Sequence, residues 1–271
     1  MRKLTTIAIM IFLVISLHSC KKETEKKVFE KERLTKKETI DYDSVNRVRL
    51  ELSVDITLPV CKDSSSCFLR NEIIKNITNK EPQEKILDAL YSNIKDSLIN
   101  YLDANYDFSY LSNNPYKELS YIVNDSFVYE NNNFCSYAFY SSHFLGGAHG
   151  LYGVTYINYD IKARKTLRFS DIFDNSKIDG PTFKDMLLKQ LLLQEAVINV
   201  SDLNLLDKDA FFVTDNIYLT QNDIVFVYNV YEIRPYSSGI TYLKVPYVKL
   251  TPYLNKDFIE KIPAQIDDSD D

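Results

Sequence analysis

Between Val48 and Leu58 the chain alternates without a break. Val48, Leu50, Leu52, Val54, Ile56 and Leu58 are apolar, and Arg49, Glu51, Ser53, Asp55 and Thr57 between them are polar. Successive side chains of a strand point to opposite faces, so this period of two predicts a β-strand with one buried face. Pro59, which cannot donate to a ladder, ends it. The period then changes. One helix is predicted near Leu69–Ile77 and a longer one across Pro82–Leu102, where Ile86, Leu90, Ile94, Leu98 and Leu102 recur at every fourth position. From Leu119 to Phe169 tyrosine and β-branched residues dominate four stretches, LSYIVNDSFVYE, FCSYAFYSSHF, YGVTYINYDI and TLRF, which read as strands joined by Asn- or Gly-rich turns. Gly180-Pro181 opens a third helix with a core stripe of Phe183, Met186, Leu187, Leu191 and Leu192; proline suits the first turn, where its missing N–H is not needed. NIYLTQNDIVFVYNVYEI and ITYLKVPYV predict three more strands. Strands and helix pairs joined by short connections indicate an α+β fold, a single compact domain with an antiparallel sheet packed against about three helices.

The first residues obey a different pattern. Arg2 and Lys3 precede an apolar run from Ile7 to Leu17, shorter than the roughly 20 residues a membrane span needs and suited to a secretory signal. Leu17-His18-Ser19-Cys20 follows and resembles a bacterial lipobox, in which Cys20 is diacylated and becomes the first residue after cleavage. The alternative is an ordinary signal peptide with a chance cysteine. Several acyl chains exceed the two signals that stable anchoring requires. The expected location is therefore the cell envelope, anchored by lipid. The lysines after Cys20 replace the aspartate associated with inner-membrane retention, which favours the outer membrane.

Residues 21–40 carry eight basic and five acidic side chains and few apolar ones, a composition that predicts a solvated tether. The chain so divides into a signal peptide (1–19), an acylated cysteine with its tether (20–40), a strand–helix–helix part (41–115), a strand-rich α+β part (116–255) and an acidic tail (256–271). Loss of Arg2 and Lys3 takes the formal net charge from −6 to near −8, which argues against nucleic acid and favours a basic protein ligand. In an oxidising compartment Cys61 and Cys67, which bracket KDSSS, are expected to form a disulfide, leaving Cys135 as a buried thiol; two reduced thiols are the alternative. No cofactor is implied. A metal site lacks C-x₂-C or HExxH spacing.

Two stretches carry a resemblance. GGAHGLYGVTYINYDIKARKTLRFSDIF (146–173) and YLTQNDIVFVYNVYEIRPYSSGITYLKVPYVKL (218–250) resemble the RsiV-like extracellular domain family, which also supplies the N-terminal module of the peptidoglycan deacetylase PdaC. The matching features are Gly-Gly-Ala-His, Tyr159-Asp160, Asp171-Ile172-Phe173, Tyr231-Glu232-Ile233 with Pro235-Tyr236 and Gly239, and Val245-Pro246-Tyr247. Upstream, ITLPV followed by Asn71-Glu72-Ile73 looks like the start of the companion domain. Where the family often has Thr-Gly-Lys this chain has Ala163-Arg164-Lys165, so Arg164 must adopt what glycine adopts easily. The resemblance implies a sensing or binding module without the separate deacetylase domain. Lysozyme binding by RsiV makes a lysozyme-like protein or a peptidoglycan-related ligand the implied partner.

Two patches are candidates for ligand contact. Gly146, Gly147 and His149 lie in the glycine loop; Tyr231, Glu232 and Tyr236 combine phenol rings with a carboxylate that suits a sugar or a basic side chain. The structural alternatives are that the glycines make a tight turn held shut by His149, and that Glu232 is satisfied by backbone N–H groups at the Pro235–Gly239 turn. No nucleophile elbow or Ser/His/Asp pattern accompanies His149, so a non-enzymatic envelope binding domain is the expectation. An unrecognised peptidoglycan- or glycan-active enzyme and a purely structural lipoprotein are the alternatives.

Overall fold

The computed structural model describes residues 29–78, 86–106, 117–207 and 209–262, and its first element corrects the sequence reading. Where composition predicts a solvated tether, β1 (Lys31–Asp43) is a strand paired antiparallel with β2 (Val48–Pro59). Its even-numbered side chains turn toward the helices. Leu34 and Ile40 join the core, Lys36 Nζ sits 4.5 Å above the Tyr91 ring, and Tyr91 donates to Glu38 at 3.0 Å. The charges that hid the alternation suit an edge strand, where they discourage pairing with another chain.

The alternating face of β2 lies under α1 (Ser64–Thr78) and α2 (Ile86–Asn105), against Leu69, Ile73, Leu90 and Tyr91. Leu50, Leu52 and Leu58 are fully buried. Each such side chain stabilises the fold by roughly 1.5–3 kcal/mol. Asp63 caps α1 by accepting from the N–H groups of Ser65 and Ser66 at 2.8 and 2.9 Å. A disulfide joins Cys61 to Cys67, with Cα atoms 4.4 Å apart. Cys135 is a free, buried thiol.

The helix pair is a crossover. It returns the chain to β3 (Lys117–Glu130), which runs parallel to β2, so the sheet is mixed rather than purely antiparallel. It also puts residues on either side of 115/116 into one sheet. β4 (Phe134–Phe144), β5 (Leu151–Asp160) and β6 (Lys165–Leu167) follow antiparallel and complete the six-stranded order β1-β2-β3-β4-β5-β6. At the turn before β6 Arg164 takes φ +51°, the left-handed conformation that glycine adopts easily.

Short helices α3 (Phe169–Ile172) and α4 (Asn175–Ile178) lead to α5 (Pro181–Gln194), whose Phe183, Leu187 and Leu191 are buried. A second sheet contains β7 (Ile217–Leu219), β8 (Asp223–Tyr228) and β9 (Thr241–Pro246). The strand-like NVYEI beyond Tyr228 is a turn instead, because Tyr231 takes φ +67°. Alternation along β8 sends Phe226 and Tyr228 to α5, and Val225 and Val227 to Ala138, Val154 and Tyr156 of the larger sheet. The result is four layers: helix pair, six strands, three strands, helix. At the open edge of β9, Gln194 bonds the Tyr242 carbonyl and the Lys244 N–H (2.8 and 3.0 Å), and Gln190 bonds the Lys244 carbonyl at 3.0 Å. The two side chains stand in for a further strand. After α6 (Tyr247–Leu250), part of the predicted acidic tail is also structured: α7 (Lys256–Ile259) buries Phe258 against Phe134, and Lys261 pairs with buried Asp160 at 2.8 Å.

Candidate functional site

The β4–β5 loop and the β8–β9 turn lie at one end of the paired sheets. Backbone geometry explains the glycines of the first. Gly146 and Gly147 take φ +101° and +95°, and a Cβ on Gly150 would fall 2.8 Å from the His143 carbonyl oxygen. The ring of His149 is thereby held outward, with Nδ1 2.9 Å from the Gly150 oxygen.

The second segment is clamped to the first by asparagine. The Asn229 carboxamide accepts from the Val154 N–H at 2.8 Å and donates to the Val154 carbonyl at 3.2 Å. Asn216 does the same one step along, accepting from Tyr156 N–H and donating to Val154 oxygen, each at 2.9 Å. These side chains mimic a peptide strand along the stretch of β5 that β6 leaves open, and so fix the turn against the loop.

The two candidate patches meet there. His149 stacks on Tyr236 with ring centroids 4.0 Å apart, and its Nε2 lies 3.4 Å from the Tyr231 hydroxyl. Tyr231 and Tyr236 are 5.8 Å apart, and Tyr152 packs edge-on to Tyr236 at 5.5 Å. His149, Tyr231 and Glu232 are exposed and Tyr236 is half-buried. Gly146 and Gly147 supply the turn. The Glu232 carboxylate accepts from the Asn229 N–H at 2.8 Å, so a backbone group does satisfy it, though in its own turn rather than at Pro235–Gly239. Sequence reasoning did not find Tyr152, Asn216 or Asn229; the only trace of the clamps is asparagine next to apolar strand residues, which ordinarily reads as a turn.

His143 belongs elsewhere: its ring lies parallel to that of Tyr121 with centroids 5.8 Å apart. Among the described residues no group of three His, Cys, Asp or Glu side chains could hold a metal. None of their helices is long and apolar enough to cross a membrane. Cys20 lies outside the described residues. The site's chemistry is that of stacked phenols and an imidazole: apolar faces with polar tips, able to take a ring, a sugar face or a cationic side chain.

Residues 48–152 match the family described as deacetylase PdaC, and residues 170–248 match a protein family of unknown function, DUF3298. No functionally curated protein matches the chain. Among solved structures, a DUF3298 family member from Bacteroides fragilis is similar with a TM-score of 0.72 and 22% identity, over 86% of this chain and 96% of that one. A DUF3298 family protein from Pseudomonas aeruginosa aligns with a TM-score of 0.61 and 18% identity, over 88% and 98% respectively. The loop of His149 falls at the end of the first matched region and the Tyr231–Tyr236 turn inside the second, so the ring cluster sits where the two meet. The resemblance drawn from the glycine–histidine and tyrosine-rich stretches therefore holds: the chain joins a region that matches the PdaC family to one that matches DUF3298, in a fold similar to that of the solved DUF3298 proteins.

Proposed function

We propose that this chain is a lipid-anchored binding module of the cell envelope, without catalytic activity, which uses the His149–Tyr231–Tyr236 cluster to hold a lysozyme-like protein or a peptidoglycan-related ligand. The observation that carries the reading is the convergence of two segments, 82 residues apart at the Tyr231–His149 contact, on one exposed set of rings. Exposed aromatic groups on a rigid scaffold present large contact area with little entropy to lose on binding. The non-catalytic part of the proposal is supported by the company His149 keeps, a phenol and a backbone carbonyl, while the Glu232 carboxylate is engaged by the Asn229 N–H.

Titration of the protein with hen lysozyme and, separately, with soluble peptidoglycan fragments tests the ligand. Saturable binding of one of them, weakened about tenfold or more by Tyr236→Ala, is expected. No binding of either at tens of micromolar in low salt would remove the proposal, and turnover of the fragments abolished by His149→Ala would make the protein an enzyme. The anchor has its own test. Metabolic labelling with a fatty acid should mark the wild type and not Cys20→Ala; label retained in the variant would overturn the lipobox assignment.

A further inference from the structure

A second site lies on the opposite face of the six-stranded sheet. α2 stands off that sheet along part of its length and leaves a cleft of about 570 Å³. This is within the roughly 300–1,000 Å³ of small-molecule sites. Ile77, Leu90, Ile94 and Leu98 from the helices and Leu145 from the loop form its apolar walls, and among the described residues no Asp, Glu, Lys or Arg lines it. Its mouth is apolar too. Tyr101 and Leu151, 47% and 41% exposed, are among the few large hydrophobic side chains left open to solvent, and both line this cleft. Single exposed apolar residues are ordinary, but two at one concave opening mark a contact surface.

Its polar lining comes from Thr78, Asn93 and Ser97 on the helices, the Tyr101 and Tyr121 phenols and, on the sheet, His143. His143 is half-buried beside Tyr121, and its ring nitrogens make no hydrogen bond to the described residues. Burial lowers the imidazole's pKa and favours the neutral ring, which offers one donor and one acceptor. A ligand with a net charge would meet no counter-charge from the described lining residues and would lose its hydration. One with a hydroxyl, ester or amide would give the imidazole a hydrogen-bond partner, while its chain covers the leucine and isoleucine walls.

We propose that this cleft binds an uncharged single-chain amphiphile, whose aliphatic part lies between α2 and the sheet and whose polar head hydrogen-bonds to His143. The site is independent of the aromatic cluster and of whatever that cluster binds.

The chain contains no tryptophan, so Tyr101→Trp places the only indole at the mouth. Residues 20–271 carrying Cys20→Ala and Tyr101→Trp, free of detergent, would be titrated with monomyristoylglycerol below its critical micelle concentration. A saturable blue shift of indole emission is expected, together with weaker binding of myristate. Adding His143→Leu should weaken monomyristoylglycerol by about tenfold, and His143→Gln, which restores a donor and an acceptor, should recover most of the loss. Thermal unfolding of each variant separates lost binding from lost folding. No saturable shift with monomyristoylglycerol overturns the proposal whatever the variants do. Equal affinity for myristate, or a folded His143→Leu protein that binds as well as its parent, overturns the assignment of an uncharged head at His143.

Discussion

Tyr231 carries its exposed ring on a backbone at φ +67°, a region that side chains with a Cβ enter at a disadvantage of roughly 1–2 kcal/mol. Its N–H closes the turn by donating to the Arg234 carbonyl at 3.1 Å, a bond that any residue could make. The strain is therefore tied to the ring and not to the turn. Tyr231→Gly is expected to leave stability unchanged or raise it by up to about 1 kcal/mol while weakening ligand binding. A loss of more than about 1 kcal/mol in urea unfolding would show that the ring is structural glue. Cys135 is the opposite case, a polar atom made inert by its surroundings. Burial raises its thiol well above the ordinary cysteine range, so it should resist alkylation in the native protein. In denaturant, a form beginning at residue 29 should take up one alkyl group without reductant and three with it; three without reductant would remove the Cys61–Cys67 bridge. Closing so short a loop contributes about 2 kcal/mol in the chain-entropy account. The histidine and tyrosines of the ring cluster were legible as separate patches. Their meeting was not, because the asparagine clamps that join them leave no periodic trace.

Among the elements, β2 was readable residue by residue because its only duty is to bury one face. β1 was hidden by its own edge position: lysines and glutamates that protect an open edge also imitate a disordered tether. β3 looked like part of a meander, and nothing in its side chains reports that it pairs parallel with β2; that follows from the helix crossover. α1 shows how local chemistry sets a pH response. Hydrogen bonds from the Ser66 and Ser65 N–H groups hold the Asp63 carboxyl below the usual aspartate range, so the folded state favours the charged form. That contribution is complete above the unfolded aspartate pKa near 4 and is lost as pH falls through the lower folded value. Asp63→Asn keeps a capping oxygen but cannot ionise. The variant's melting temperature should fall less than the parent's between pH 5 and pH 2. Parallel curves would show that the cap carries no pH dependence.

At the scale of the molecule the two family matches are not two domains. The gap between them, 153–169, contains most of β5 and all of β6, and the face formed by Val154 and Tyr156 is buried against Val225 and Val227. The four layers thus share interfaces across the seam. The sequence conveyed the strands from β2 to β9 and the three longer helices but not their division into two sheets, which depends on contacts between strands far apart in the chain. The glutamines of α5 matter most when many copies share one surface. Confined to a bilayer, as proposed, tethered proteins meet in two dimensions at high effective concentration, where a bare strand edge would join one copy to the next. Gln190→Ala with Gln194→Ala should produce concentration-dependent dimers or larger species in light scattering, while the parent remains of constant mass. An unchanged mass would mean that the β9 edge is guarded by something else. On the proposed anchor, glutamines that occupy the β9 edge would keep a crowded membrane face from becoming a template for fibres.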